Sequence, residues 1–124
     1  MTQEEKRQLL LADLCGRLPY GVQGFYKTSG IEITSQKMTY DIIGNLEYKN
    51  NVEFKPYLFP MSSITEEQRS EYEELYTKYN YLYGVDGKYM VQTWKVDWCN
   101  KNHFDFRGLI PLDLAIDATG LNIY

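Results

Sequence analysis

Histidine occurs once in this 124-residue chain, at His103, and cysteine only twice, at Cys15 and Cys99. A single imidazole cannot build a two-histidine metal site, and no HExxH or CxxC spacing occurs, so neither a metal nor a cofactor is expected. The cysteines lie far apart and read as two small buried hydrophobes. A disulfide between them is disfavoured because no export signal is evident. Basic runs are also scarce. The longest is Lys6-Arg7, which removes the electrostatic footprint of a duplex-binding protein. No apolar run approaches the length of a membrane span. The leucine-rich stretch Leu9–Ala12 is too short for a secretory core and is cut by Asp13. A cytoplasmic protein without membrane or duplex nucleic-acid partners follows. Phosphate loops, GxGxxG, GxSxG and carboxylate-rich metal loops are all missing. The segment Gly84-Val85-Asp86-Gly87-Lys88 lacks the spacing of a phosphate loop and reads as a turn.

What the chain does hold is tyrosine, 12 residues of it, within an aromatic share of 15%. Tyrosine buries a ring while keeping its hydroxyl near water, which suits half-buried faces and interfaces. Acids outnumber bases by 17 to 13, for a net charge of -4. Length and an ordinary apolar content indicate one globular domain over residues 1–124, large enough to hold a core without staples.

Along the chain, Thr2 and Glu5 form a capping box, and the pairs Leu10/Leu14 and Leu11/Cys15 make an apolar stripe. Helix one is expected over about residues 3–15. Glu4, Glu5, Arg7 and Asp13 are left to solvent, and Gly16 serves as a left-handed terminator. Residues 20–59 read as a small antiparallel meander of three to five strands. Val22–Lys27 and Ile31–Ser35 flank the turn Thr28-Ser29-Gly30. The run Lys37–Ile43 continues extended, Leu46–Tyr48 has pairing potential, and Val52–Pro56 alternates. Pro56 and Pro60 place that last strand at an edge, or mark where it leaves the sheet. A second helix starts at Ser63/Glu66 or Thr65/Gln68, with Tyr72, Leu75, Tyr76 and Tyr79 on one face. Asn80–Tyr89 is irregular. A third helix follows with Val91, Trp94 and Trp98 in a stripe. Residues 109–124 read as an extended tail, with a strand or short helix near Ile116. The fold class is α+β.

Two stretches are candidate sites. In the hexapeptide His103–Gly108, the rings of Phe104 and Phe106 are expected to point inward together, leaving His103, Asp105 and Arg107 on the other side as a polar patch or a structural hallmark. Asp105 either pairs with Arg107 or braces the loop backbone. His103 is expected beside a helix C-terminus, where a cation is favoured. Cys99 and His103, four apart, have the spacing of a nucleophile and its base. Packing of Cys99 beside Trp98 is the simpler account, and no catalytic residue is assigned. The second candidate is Tyr79, Tyr81, Tyr83 and Tyr89. The last three sit where no helical core accounts for them, and loop tyrosines give contact area for little lost entropy. The surrounding acids Glu66, Glu67, Glu71, Glu73 and Glu74 repel phosphates and favour a protein partner.

The blocks LLLADLCGRLPYGV (Leu9–Val22), KPYLFPMSSITEEQ (Lys55–Gln68) and DWCNKNHFDFRGLIPLDLAIDA (Asp97–Ala118) resemble uncharacterised small proteins of gut Bacteroides-type bacteria, their phages and integrated mobile elements. The resemblance implies an accessory protein of a phage or mobile element, brings no known activity, and makes HFDFRGLIP a family hallmark. The expected function is therefore non-catalytic: contact with another protein, or self-association into a homodimer, through a tyrosine-rich acidic surface. The alternative is a small-ligand or nucleotide-binding protein that sequesters a signal or inhibits a host defence.

Overall fold

Thr2 begins the first helix as its composition requires. Its hydroxyl accepts the Glu5 N–H at 3.1 Å while Glu5 accepts the Thr2 N–H at 3.2 Å, closing the box and starting α1 (Gln3–Arg17). In the computed structural model, the backbone of residues 1–49, 51–83 and 88–124 is described; the side chains of residues 79–92 lie outside that description. Helix α1 runs past Gly16 instead of ending there. Arg17 stays helical because its guanidinium reaches back one turn to Asp13, and the left-handed residue is Gly21, after a 3-10 turn holding Pro19.

The hairpin β1 (Gln23–Thr28) and β2 (Ile31–Lys37) turns through Ser29 and Gly30, both with positive φ (48° and 80°), as two-residue hairpin loops demand. Lys37 ends β2, extended as expected, but residues 40–43 of the run expected to be extended, and Leu46–Tyr48 with its pairing potential, form a helix instead, α2 (Tyr40–Tyr48). Thr39 caps it, its hydroxyl accepting the Ile42 N–H at 3.3 Å. Ile42 and Leu46, four apart, are both buried. One buried pair at helical spacing plus a cap outweighs the alternation of Met38, Tyr40 and Ile42.

Strand β3 (Val52–Pro60) then pairs antiparallel with β1 through residues 52–56 and parallel with β5 (Ile116–Asp117) and β4 (Phe104–Asp105) through residues 57–60. The Phe59 N–H donates to His103 O and Leu58 O accepts from Ala118 N–H, at 2.8 Å each. A trans peptide aims these two groups oppositely, so β3 is flanked on both sides and is the central strand. Of the two readings its prolines allowed, the edge does not hold, whereas the strand does end at Pro60. Pro56 stands opposite Gly24 at the end of the β1 ladder, and Pro60 at the end of the strand, so neither interrupts a continuous ladder. The expected meander is thus β2-β1-β3, with α2 inserted before its third strand.

Helix α3 (Glu66–Tyr83) starts at the Thr65/Gln68 box, and α4 (Lys88–Lys101) returns to the sheet. Residues 81–83 and 89 therefore fall within helix bounds, where an irregular loop was expected. The larger apolar core joins α1, α2 and the sheet through Leu10, Leu14, Ile42, Phe54 and Leu58. A smaller aromatic core holds the α3–α4 hairpin, with Trp98, Cys99 and Phe104 at its centre and Tyr72 and Trp94 against them. The chain is α+β, and no described helix is long and apolar enough to cross a membrane.

Candidate functional site

The hexapeptide His103–Gly108 is held by a buried ionic cluster. Asp13 and Arg17 are 1% and 0% exposed, so Asp13 does not face solvent as its place on α1 indicated. Arg17 Nε meets Asp13 Oδ2 at 2.7 Å, and Arg17 Nη2 donates to Asp13 Oδ1 at 3.2 Å and to Phe104 O at 2.6 Å. Arg107 Nε adds a second cation at 3.2 Å from Asp13 Oδ1. Of the two roles open to Asp105, bracing the backbone is the one realised. Its carboxylate accepts the N–H groups of Leu109 (2.8 Å) and Ile110 (2.9 Å), tying down the turn at Gly108, whose φ is +77°. Asp105 is buried rather than facing outward with Arg107.

His103 takes a left-handed conformation with φ +61°, its N–H donating to Asn100 O at 3.3 Å. Its ring stacks on Tyr124 with centroids 3.6 Å apart and planes 8° from parallel. Burial, then the charge of Arg17, lowers its pKa to about 4. At neutral pH it carries no charge, so the expected cation beside the helix terminus is absent. Cys99 is buried and free, and burial pushes its thiol up from the ordinary value, against the lowering effect of Arg17. An activated thiol requires the opposite shift. His103 Nδ1 has no hydrogen-bond partner among the described residues, so that nitrogen is not paired with the Cys99 thiol. Cys15, expected inside, is exposed.

The ionic cluster also positions a wall. The Phe106 ring lies 5.5 Å from the Arg17 guanidinium and 4.8 Å from that of Arg107, within cation–π range. That ring faces a recess of about 530 Å³ between α3 and α4. Met61, Ile64, Tyr72, Val96, Cys99 and Phe106 make its apolar lining. Three charged side chains join them: Arg69, Glu73 and Lys95. Arg69 and Glu73 are exposed and Lys95 is half-buried. Lys95 Nζ stands 5.3 Å from the Tyr76 ring centroid. Among the described residues, neither Arg69 nor Lys95 joins an ion pair. The loop His103–Gly108 and the recess thus share the Phe106 ring, with the Arg17 and Arg107 guanidinium groups against it.

The side chains of Tyr79, Tyr81, Tyr83 and Tyr89, expected to bind a partner, lie outside the described residues. Two other tyrosines are conspicuous on the surface. Tyr40 and Tyr48 are 79% and 82% exposed. At positions i and i+8 of α2 they share a face with Gly44 between them, where an added Cβ would meet nothing within 4 Å. Sequence reasoning missed this pair because it placed both residues in strands. A cap at Thr39 ahead of the pair Ile42/Leu46 was the available signal. No protein-family model, curated protein or solved structure matches the chain.

Proposed function

We propose that the protein is a non-catalytic accessory protein of a phage or mobile element that acts by protein–protein contact or self-association through a tyrosine-bearing acidic surface. The observation carrying this reading is the exposed pair Tyr40 and Tyr48. Amphipathic rings left in water are the side chains that form interface anchors. Gly44 between them lets a partner's backbone approach the helix closely. The exposed acids Asp41 and Glu47 on the same helix favour a basic partner. The origin in phages or mobile elements rests on the resemblance of the three sequence blocks.

Cross-linking capture from the native host with mass spectrometry, paired with light scattering over a concentration series, tests the proposal. Wild type is compared with Tyr40→Ala/Tyr48→Ala and with Tyr81→Ala/Tyr83→Ala. Loss of one dominant partner, or of a dimer, in either double variant at unchanged melting temperature is the expected result. Identical capture and identical mass in all three proteins would reject the tyrosine surface. A second reading, capture of a small ligand, has its own support: the recess of about 530 Å³ falls within the size range of small-molecule sites.

A further inference from the structure

We propose that the recess between α3 and α4 binds a small amphiphilic monoanion, an apolar body ending in one carboxylate. The inference deepens the ligand-capture reading and is independent of the tyrosine surface on α2. Size and lining argue for the apolar body. A recess of about 530 Å³ with six apolar side chains in its wall gains by exchanging water for hydrocarbon. Charge argues for the head. Among the described lining residues, Arg69 and Lys95 contribute two positive charges and Glu73 one negative, a net of +1. The two cations have no ion-pair partner among the described residues. A single carboxylate matches that balance. A phosphate ester with two charges would bring its second charge against Glu73, and a cationic amphiphile would meet Arg69 and Lys95. The wall is also prebuilt. Phe106 is fixed by the two guanidinium groups behind it, so little side-chain entropy is lost when a ligand packs against it.

The test uses decanoate, decyltrimethylammonium and acetate, each below any micelle-forming concentration. Calorimetry gives stoichiometry and affinity. Tryptophan emission gives location, because Tyr72 in the recess wall packs on Trp94 and Trp98 at 5.1 and 5.2 Å. Decanoate is expected to bind one per chain, shift the emission, and raise the melting temperature. Acetate, lacking the body, is expected to do neither. Arg69→Gln/Lys95→Gln should weaken decanoate by about tenfold and leave decyltrimethylammonium unweakened, the size expected when two partly solvated ion pairs are removed. Val96→Trp, which fills the recess, should abolish binding; unchanged circular dichroism shows that this variant still folds. Three results would overturn the proposal. They are no saturable decanoate binding, equal or tighter binding of decyltrimethylammonium, and full affinity in Arg69→Gln/Lys95→Gln. A ligand-free dimer that the same double variant breaks would assign the recess to a second copy of the chain, and would overturn it equally. Failure of decanoate to bind leaves the α2 tyrosine test untouched, so the two readings fail separately.

Discussion

At the scale of single residues, the charges inside the protein decide more than those outside. Asp13 neutralises a fully buried Arg17, so Asp13→Asn leaves an uncompensated guanidinium in the core. A loss of about 3–5 kcal/mol is expected in urea titration. Arg107→Ala removes the partly exposed member of the same cluster and should cost about 1 kcal/mol or less. If the two variants lose equal stability, the cluster is not organised around Arg17. His103 gives a pH signature. Its pKa is about 4 in the folded protein against an ordinary 6.5, so between those values the unfolded chain binds more protons. The stability contributed by neutral His103 is therefore full above about pH 6.5 and is lost as pH falls towards 4. His103→Asn, a residue that tolerates positive φ, should flatten the stability–pH curve over that window. Of this cluster only the loop was legible in sequence. Two aromatic residues, an acid and a base in alternation mark His103–Gly108 as special. That Arg107 reaches Asp13, over ninety positions earlier, follows only from the packing of α1 on the loop.

At the scale of elements, two glycines behave oppositely. In β1, a Cβ on Gly24 would stand 2.3 Å from Phe54 Cζ and 2.7 Å from Lys55 O. Neither the ring nor the backbone of the central strand can withdraw, so Gly24→Ala is expected to cost about 2–3 kcal/mol or more. In α2, Gly44→Ala meets open space and should stabilise the protein by about 0.5–1 kcal/mol. Chemical denaturation of both variants measures the contrast, and a destabilised Gly44→Ala would contradict the free space on that face. Elements marked by caps were readable from sequence. Thr2/Glu5 and Thr65/Gln68 open α1 and α3 as their spacing indicated. Elements whose marks conflicted were not. Around α2, a short alternation of Met38, Tyr40 and Ile42 imitates a strand, and in β3 two prolines imitate an edge. The tail after Gly108 has little periodicity of its own. Its order comes from Asp105 and from pairing with β3.

At the scale of the whole molecule, the two cores divide the labour. The larger one is shared by α1, α2 and the sheet, whereas the described residues of α3 pack on the aromatic cluster. Of residues 66–78, only Gln68, Tyr72 and Leu75 are shielded from solvent beyond the exposed class. Hydrogen exchange should consequently be faster in peptides covering residues 66–78 than in those covering β1 and β3, by local opening rather than global unfolding. Equal protection in both regions would mean that the hairpin and the sheet open as one unit. A bound amphiphile should slow the exchange of residues 66–78 first, since its proposed seat lies on that hairpin.

One atom near the end of the chain has a further effect. The Tyr124 hydroxyl accepts the Gln23 N–H at 2.9 Å and donates to Tyr57 O at 2.8 Å, joining the mouths of β1 and β3. Translation makes residue 124 roughly a hundred positions after residue 23. On a ribosome, the sheet therefore waits half-fastened until this tyrosine arrives. This fastening is a contact of high sequence separation, the kind that closes late in assembly.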